Sequence, residues 1–464
     1  MASMSDSERG RITVRDVGGH ALEERLALAG LSEAEVARKG RLFARASAAL
    51  GRRQTLRLWV PGRIEFLGKH TDYAGGRSLI CAVERGLAVV AAPRDDRVVR
   101  LTDAVTSEHV EIELSPTLEP AAGSWTNYAI TVARRIARNF PGPLRGADIA
   151  FASDLPPAAG LSSSSALVVA TFLAIADLNA ISAHEEYRGS LPHADDLAGY
   201  LGAVESGAAF GALAGDRGVG TFSGSQDHTA ILCSRAGSLV QYAFAPVRFE
   251  RAVPLPADHV FVIGASGVLA EKTGAALELY NAQARRVHAL LARWRAATRR
   301  EDATLGAALA SSPDALDRMR TIVRNPGRAG GAHDGFESVD LVSRLDQFAT
   351  ESRELIPAAG DALERGDLAT LGELVDRSQR GAELLLGNQV PETFHLARSA
   401  RSLGAVAASA FGAGFGGSVW ALVRASEAQR FMQCWQENYE ARFPEPAERS
   451  SFFVTAAGPA AMRL

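Results

Sequence analysis

One stretch constrains the fold of this chain more than any other, because it joins an apolar strand to an apolar helix through a loop of small residues. It spans residues 154 to 178 and reads DLPPAAGLSSSSALVVATFLAIADL. The segment ADIAFASDL indicates a strand that runs into a proline turn, and a long apolar helix follows from about Ser165. The pattern predicts a strand–loop–helix unit.

The four consecutive serines at this helix start have two interpretations. In the first, they cap a helix that follows a proline turn. In the second, free backbone N–H groups bind an anion, the helix dipole adds to the attraction, and serine hydroxyls bond phosphate oxygens or Mg²⁺. Four serines exceed what capping needs, so the stretch favours phosphate binding. No Gly-Lys-Ser/Thr occurs in it, which excludes the lysine-centred Walker form.

The composition excludes several classes of protein. The length of 464 residues predicts two or three domains, and 47% hydrophobic with 22% charged residues is ordinary for a soluble globular protein. A net charge of -3 gives no support for binding nucleic acid or anionic membrane. Three distant cysteines argue against a disulfide framework or a cysteine-rich zinc site. Without a signal-peptide pattern or an apolar run of about 18 residues, we expect a cytoplasmic protein with no membrane contact.

Hydrophobic periodicity predicts a mixture of helices and antiparallel-type strands. Helices are predicted over residues 20–50, 123–140, 195–212, 270–298 and 340–403. Strand candidates include TLRLWV, LAVVAAPR, VVRLTD, HVEIEL, SLVQYAF, HVFVIGAS, VWALVR and FFVTAA. This order indicates an α+β protein rather than a doubly wound sheet.

Two further stretches are rich in glycine or charge. Residues 409–423 read SAFGAGFGGSVWALV. Their glycine density supports two interpretations equally, a tight hairpin and a loop that contacts a ligand. Residues 61–76, PGRIEFLGKHTDYAGG, place five charged or titratable side chains beside a glycine pair. Taken singly, this second stretch is typical of a solvated turn.

Together, the three stretches resemble the ordered motifs of the GHMP kinases, and PGRIEFLGKHTDYAGG resembles the galactokinase signature. Supporting matches are WTNY before the serine loop, AVES around Glu205, GSQDHTAIL around Asp227 and the closing FFVTAAGPAAMRL. The resemblance covers roughly residues 55 to 464. It implies a two-lobed α+β GHMP kinase fold, with a ribosomal protein S5 domain 2-like N-terminal lobe and a ferredoxin-like C-terminal lobe. We expect a helical extension at 1–50 and lobes at 51–225 and 226–464.

The resemblance also implies roles for individual residues in ATP-dependent phosphoryl transfer. Asp227 is the expected catalytic aspartate, and Arg63 is the expected cation beside it. The expected ATP-binding residues are Gly160, Leu161, Ser162, Ser163, Ser164, Ser165 and Trp125, the last near the adenine. Ser164 and Glu205 are the expected Mg²⁺ ligands.

The implied acceptor is the anomeric hydroxyl of galactose or a galactose-like sugar. The matching sugar-binding positions are Asp72, His70, Gly224, Tyr280 and Lys69. Lys69 departs from the family, which usually has glutamate there and uses it to contact the C6 hydroxyl of the sugar. Either Lys69 points away, or it pairs with the C6 carboxylate of a uronic acid such as galacturonate or glucuronate. Glu65 also departs from the usual asparagine, and pairing with Lys69 would weaken the uronate hypothesis.

Three functions therefore stay open. The first is a galactose-type sugar 1-kinase, and the second is a uronate 1-kinase. The third is a non-catalytic sugar and ATP sensor, which intact Arg63, Asp227 and serine loop argue against. We expect a monomer or weak homodimer whose partners are the small-molecule sugar and ATP.

Overall fold

The computed structural model describes residues 15–16, 21–119, 124–269, 274–325 and 335–464. Its strands are β1 (Arg15–Asp16), β2 (Leu56–Leu67), β3 (Arg77–Pro93), β4 (Val98–Asp103), β5 (His109–Glu113), β6 (Ala147–Ser153), β7 (Ser238–Ala243), β8 (Arg248–Pro254), β9 (His259–Ala265), β10 (Ala407–Phe411), β11 (Ser418–Arg424), β12 (Ser451–Thr455), β13 (Ala457–Gly458) and β14 (Met462–Arg463).

The helices occur singly or in groups between these strands, and the longest run of helices separates β9 from β10. They are α1 (Leu22–Leu28), α2 (Glu33–Leu50), α3 (Thr126–Asn139), α4 (Ser163–Leu178), α5 (Glu185–Ser190), α6 (Ala194–Ser206), α7 (Gln226–Cys233), α8 (Gly274–Thr298), α9 (Leu305–Ala310), α10 (Ala315–Arg324), α11 (Ser338–Thr350), α12 (Ile356–Glu364), α13 (Leu368–Gly381), α14 (Pro391–Ser402), α15 (Ala428–Arg442) and α16 (Pro444–Ala447). Short π-helical segments, Glu351–Leu355 and Ala382–Leu386, follow α11 and α13.

A large sheet is built around the long antiparallel pair β2 and β3. Its strand order is β1-β14-β2-β3-β6-β4-β5, with β7 and β13 also pairing with β3, and β8 with β7. The two faces of the sheet carry alternate residues, as strand geometry requires. Residues such as Leu58 and Val89 pack toward α4 on one face, whereas Trp59 and Val90 pack toward α1 and α2 on the other. Since α4 is apolar on all sides, it is buried between the sheet and neighbouring helices, where it positions the serine loop.

A second, antiparallel sheet has the order β10-β11-β9-β12. One of its faces is covered by α14 and α15 through residues including Leu396 and Trp435. The other face joins the core of the first sheet, where Trp420 of β11 stacks on Phe66 of β2 with ring centroids 4.2 Å apart. The two sheets therefore share one apolar core at the level of the stretch 61–76.

Helices α8 to α11 form a separate apolar cluster that covers the loop after β2. Ala74 of that loop is buried in this cluster with Trp294, Leu305 and Phe348. This packing brings α8, which carries Tyr280, against the loop that carries His70 and Asp72.

The α+β prediction is confirmed, with several boundaries moved. Helix α6 ends at Ser206 rather than near residue 212, because Gly207 adopts the left-handed conformation that ends helices. Strands β7, β8, β13 and β14 lie in the first sheet, so the predicted lobe boundary after residue 225 does not coincide with a change of sheet. Residues 1–14, part of the predicted extension, lie outside the described residues. Within the described ranges, no helix is long and apolar enough to cross a membrane.

Candidate active site

The site begins with two charged side chains on one face of β2. Arg63 and Glu65 are two residues apart, so they point to the same side of the strand, and both line a cavity. Ile64 and Phe66, on the opposite face, are fully buried in the core. The stretch read as a turn is therefore strand as far as Leu67, and the turn follows from Gly68.

The cavity lies where β2, the loop after it, α6, α7, α8 and the glycine-rich β10–β11 loop converge. Its lining residues are Arg63, Glu65, His70, Asp72, Tyr73, Ser165, Glu205, Ser223, Gly224, Gln226, Asp227, His228, Tyr280, Gly412 and Ala413. It brings together residues from stretches that are up to about 350 positions apart in the chain, including eight of the predicted site residues. Those eight are Arg63, His70, Asp72, Ser165, Glu205, Gly224, Asp227 and Tyr280.

An ion pair between Arg63 and Asp227 stands at the centre of the site. The Arg63 Nε donates to Asp227 Oδ1 at 2.7 Å, and the same guanidinium donates to the carbonyl oxygen of Gly160. Asp227 lies in the first turn of α7, where the helix dipole favours a negative charge. The pair is mostly buried, with 4% and 18% of the two side chains exposed. The aspartate is thus held between a cation and the serine loop.

Two serines of the loop bond acidic side chains. Ser162 Oγ donates to Asp227 Oδ2 at 2.5 Å, and Ser165 Oγ donates to Glu205 Oε2 at 2.9 Å. Ser165 Oγ also lies 3.5 Å from Asp227 Oδ2. Ser163 is exposed and Ser164 is half-buried. Ser165, rather than the predicted Ser164, is therefore the serine that the fold places beside Glu205.

Both sheets hold the serine loop, the second through the end of the glycine-rich loop and the first through β2. Ser418 Oγ donates to the carbonyl oxygen of Ala159 at 2.5 Å, while Arg63 N donates to the carbonyl oxygen of Leu161 at 3.1 Å. Gly160 adopts a φ of 74° and Ser162 a φ of 61°, so the loop has a left-handed conformation just before α4. The stretch 409–423 is thus the β10–β11 hairpin, and its Gly412 and Ala413 also line the cavity.

Asp72 and Gly224 are in close contact on another wall of the cavity. Asp72 Oδ2 accepts a hydrogen bond from Gln226 N at 3.0 Å. A Cβ atom at position 224 would lie 2.3 Å from Asp72 Oδ2, so only glycine fits there. The carboxylate is therefore fixed against the first residue of α7, one position before Asp227.

His70 is held by polar contacts to both of its ring nitrogens. Nδ1 lies 2.9 Å from the Tyr73 hydroxyl and Nε2 lies 3.0 Å from the carbonyl oxygen of Ala413. The Tyr280 ring is 5.2 Å from the His70 ring. Burial raises the pKa of Tyr73 to about 12 and also raises the pKa of Tyr280 well above its usual value, so both phenols stay protonated at neutral pH.

Lys69 points away from this cavity. Its side chain is buried, and Nζ donates to Ser409 Oγ at 2.8 Å and to Ser378 Oγ at 3.4 Å. Ser378 in turn donates to Glu351 Oε1, which also accepts from Gly68 N. Among the described residues, the cavity lining includes His70 and Glu65 but leaves out Lys69. The sugar-contacting role of Lys69 stays a prediction, and this geometry does not favour it.

Trp125 lies at the start of α3. Its Nε1 donates to Glu108 Oε2 at 3.0 Å, and its ring meets Phe151 edge-to-face with centroids 6.1 Å apart. It packs against the first core without lining the cavity. The predicted contact with adenine stays a prediction.

Sequence reasoning missed several residues of the cavity. Glu65 was noted only as a departure from a family pattern, although its alternation with Arg63 on a strand was a usable signal. Ser223 and Gln226 flank predicted residues and could have been inferred by proximity. Tyr73 follows the predicted Asp72 and could have been inferred in the same way, whereas Ala413 gave no such signal and meets His70 only through the fold.

Family models match three parts of the chain. The model of the GHMP kinases N terminal domain matches residues 127–215, and that of the GHMP kinases C terminal domain matches residues 361–441. The galactokinase galactose-binding signature matches residues 51–93, which include Arg63, Glu65 and Asp72.

Individual proteins agree with these models. The chain is 26% identical to a galactokinase of Actinobacillus pleuropneumoniae serotype 5b, over 82% of this chain and 89% of that one. It is 28% identical to a galactokinase of Roseiflexus sp., over 80% and 84%. In fold, it resembles Lactococcus lactis galactokinase complexed with galactose, with a TM-score of 0.72 and 22% identity over 92% and 99% of the two chains.

Domain models, fold and site together place the chain among the GHMP kinases, which are ATP-dependent kinases. Within that class it belongs with the galactokinase-like sugar kinases, because the galactose-binding signature and the relatives point to the same branch. The two-lobed GHMP kinase fold expected from the sequence is confirmed.

Proposed function

We propose that this protein transfers the γ-phosphoryl group of ATP to the anomeric hydroxyl of galactose. The observation that carries the proposal is the Arg63–Asp227 ion pair, placed between the serine loop and the wall formed by Asp72 and Gly224. An acceptor sugar in the cavity would have a half-buried carboxylate on each of two sides, that of Asp72 and that of Asp227, and the serine loop before α4 lies beside Asp227.

The mechanism follows from how Asp227 is held. A sugar hydroxyl that approaches Asp227 donates its proton to the carboxylate as the phosphoryl group arrives. Arg63 keeps the carboxylate oriented and offsets negative charge near the transferred group. Ser162 donates a hydrogen bond to the other carboxylate oxygen of Asp227. When a substrate hydroxyl binds Asp227, this hydrogen bond must break or be shared with the hydroxyl. Backbone N–H groups from Gly160 to Ser165 are suited to bind the phosphates.

Mg²⁺ is the expected metal, and the oxygen donors beside the serine loop fit it. Glu205 and Ser165, or the predicted Ser164, offer the hard oxygen ligands that Mg²⁺ prefers, with phosphates and water completing its shell. When bound, the ion neutralises phosphate charge. Among the described residues, no group of three or more His, Cys, Asp or Glu side chains forms a metal cluster, in keeping with a metal held largely by its substrate.

The cavity favours a neutral acceptor over a uronate. Four carboxyl groups line it, those of Glu65, Asp72, Glu205 and Asp227, against the single guanidinium of Arg63. The ammonium of Lys69, which a uronate carboxylate would need, is bonded to Ser378 and Ser409 instead. The site gives no support to the hypothesis of a non-catalytic sensor. It keeps the Arg63–Asp227 ion pair and the serine contacts to Asp227 and Glu205, which a sensor would not need. Cytoplasmic location and a monomer or weak homodimer remain part of this proposal.

The test is ADP release with Mg-ATP and a panel of galactose, glucose, galacturonate and glucuronate, with the product identified by ³¹P NMR as a sugar 1-phosphate. Galactose should be the preferred acceptor. Asp227→Asn should lower kcat by roughly 10²- to 10⁴-fold, the usual contribution of a general base. The control is Asp177→Asn, because Asp177 forms a surface ion pair with Arg463 and should change kcat less than about twofold. Turnover of uronates alone, or an active Asp227→Asn, would overturn the proposal.

A further inference from the structure

The loop that carries His70 and Asp72 is held from outside the cavity by one face of α11 and of the π-helical segment after it. Arg344, Gln347 and Glu351 are spaced three and four residues apart, so they lie on the same side of the helix. These three residues are buried, with 0%, 3% and 3% of their surfaces exposed. None of them lines the cavity or lies in a range that the family models match. They therefore act on the site only through its neighbours.

The three side chains bond three consecutive residues of the loop backbone. The contacts are Glu351 Oε1 with Gly68 N at 2.8 Å, Gln347 Nε2 with the carbonyl oxygen of Lys69 at 3.2 Å, and Arg344 Nη2 with the carbonyl oxygen of His70 at 2.5 Å. Arg344 Nη1 also donates to Gln347 Oε1 at 2.5 Å, which aligns the two side chains. The backbone is thus fixed where the loop leaves β2.

The next residue of the π-helical segment holds the far end of the loop. Ser352 Oγ accepts from Arg77 N at 2.9 Å, at the first residue of β3. A Cβ atom at position 76 would lie 2.7 Å from the Phe348 ring, so the loop also packs closely on α11 at this end. Both ends of the loop are therefore secured by one continuous piece of helix. We name the four polar residues the loop clamp: Arg344, Gln347, Glu351 and Ser352.

The loop clamp holds a backbone conformation that the loop does not favour by itself. His70 has a φ of 56°, in the left-handed region that few residues other than glycine adopt. Such a conformation persists where the surrounding contacts determine it. Arg344 bonds the carbonyl oxygen of this same residue. Without the clamp the loop is free to relax, and the side chains of His70 and Asp72 lose their fixed positions in the cavity.

Arg344 also acts on the ring of His70, through Tyr73. Its Nη2 donates to the Tyr73 hydroxyl oxygen at 3.3 Å, and that hydroxyl lies 2.9 Å from His70 Nδ1. The carbonyl oxygen of Ala413 can only accept, so His70 Nε2, 3.0 Å away, carries the hydrogen. In the neutral ring, Nδ1 then accepts from the phenol, whose oxygen accepts from Arg344. The guanidinium thus sets the direction of the hydrogen-bond chain that orients the ring.

We infer that Arg344 is a positioning residue for the acceptor sugar, because through the loop clamp it fixes the loop of His70 and Asp72. It therefore sets the affinity for the sugar and leaves the affinity for ATP unaffected. This inference rests on the proposed function. The serine loop is held by other elements, β2 and the β10–β11 hairpin, so a loosened sugar loop leaves it in place.

The experiment measures the Kd of galactose and the Kd of Mg-ATP by isothermal titration calorimetry, together with kcat, in wild type, Arg344→Met, Arg344→Lys and Ser352→Ala. Arg344→Met should raise the Kd of galactose by about 10-fold or more, since it removes charge-assisted hydrogen bonds to the loop. The Kd of Mg-ATP should change less than about twofold, and kcat at saturating galactose should fall less than about threefold. Arg344→Lys keeps the charge and should recover part of the affinity. Ser352→Ala removes one neutral hydrogen bond and should raise the Kd of galactose about twofold to threefold.

Arg320→Met is the matched control. Arg320 Nε donates to Asp346 Oδ1 of the same helix at 2.8 Å, with 31% of the arginine side chain exposed. This substitution removes an arginine contact to α11 without touching the loop clamp, so it should leave the Kd of galactose unchanged. Circular dichroism melts establish which variants are folded, and Arg344→Lys and Ser352→Ala decide the question if Arg344→Met does not fold.

Three results would overturn the inference. They are an unchanged Kd of galactose in the folded variants, an equal rise in the Kd of galactose and the Kd of Mg-ATP, and an equal effect of Arg320→Met. Each would show that α11 only stabilises the fold, and the proposed function would stand as long as wild type phosphorylates galactose. If wild type neither binds nor phosphorylates galactose, the proposed function is wrong and this inference falls with it.

Discussion

At the scale of single residues, the charges of the stretch 61–76 divide into distinct environments. Arg63 pairs with Asp227, Lys69 bonds serines of the second half of the chain, and Glu65 faces the cavity. Residues that look equivalent in the sequence therefore differ in chemistry, because each one's position on the strand or in the following turn selects its neighbours. Among the five charged or titratable residues of this stretch, Lys69 is the one that does not line the cavity.

The carboxyl group of Glu65, which is 3% exposed, predicts how stability depends on pH, because burial raises its pKa. The folded pKa of Glu65, about 8, lies above its ordinary value of 4.5, so the folded state binds the proton more tightly than the unfolded state does. The contribution of protonated Glu65 to the free energy of unfolding is fully present below pH 4.5 and is lost as pH rises through about 8. Glu65→Gln does not titrate, so its stability relative to wild type should grow between pH 5 and pH 9, reaching about 2–4 kcal/mol.

Thermal unfolding of both proteins across that pH range checks this prediction. The two Tm values should differ least at pH 5, which serves as the internal control. A Tm difference that is the same at pH 5 and pH 9 would show that Glu65 titrates normally in the folded protein.

At the scale of elements, the first helices connect to the serine loop through a buried lysine. Lys39 of α2 donates from Nζ to Glu35 Oε2 at 2.8 Å and to Asp154 Oδ2 at 2.6 Å. Asp154 stands at the start of the serine loop, and its other oxygen accepts from Gly86 N at 2.8 Å. The helical extension, to which the sequence assigned no role, therefore helps to hold the loop that is expected to bind ATP phosphates.

Removing this lysine should weaken both the fold and the loop. Lys39→Met leaves the carboxylates of Glu35 and Asp154 without their buried cation, so we expect a loss of about 3–5 kcal/mol in the free energy of unfolding. The KM for ATP should rise several-fold while the KM for galactose changes little. Urea unfolding and steady-state kinetics measure the two effects.

Arg38→Met is the matched control for that experiment. Arg38 pairs with the same Glu35 at 3.4 Å, but 40% of its side chain is exposed. Its loss should cost less than about 1 kcal/mol. Equal effects of the two substitutions would contradict the buried network as the cause.

At the scale of the whole molecule, the chain returns to the first sheet at its end. β13 pairs with β3 and β14 pairs with β2, although β12 just before them lies in the second sheet. Together with the core shared through Phe66 and Trp420, this return links the two sheets. The two halves should therefore unfold together rather than as independent domains.

A chain that ends at Thr455 tests this coupling. Without β13 and β14, it loses strand pairing with both central strands and leaves apolar residues such as Trp59 less covered. We expect a single unfolding transition in the full chain and a clearly lower denaturant midpoint in the shortened one. The measurement is urea unfolding followed by both tryptophan fluorescence and circular dichroism. Two separate transitions in the full chain would show that the halves are independent.

The sequence by itself determined the elements and the family, because both depend on patterns within short windows. Periodicity located α3, α4 and α8, and the three ordered motifs identified the GHMP kinase class with Arg63 and Asp227 as the expected pair. Helix and strand periodicity reflect backbone geometry that each segment carries alone.

Only the tertiary structure decided which side chains meet. The Arg63–Asp227 contact spans 164 positions and the Lys69–Ser409 contact spans 340, and no local pattern encodes the orientation of either side chain. The hydrogen bonds that hold Lys69 against Ser409 and Asp72 against Gln226 became visible only once these distant segments were in place. Hydrogen-bond satisfaction is a property of the whole packed surroundings, which is why the environment of each charged group in the cavity lies outside the reach of sequence patterns.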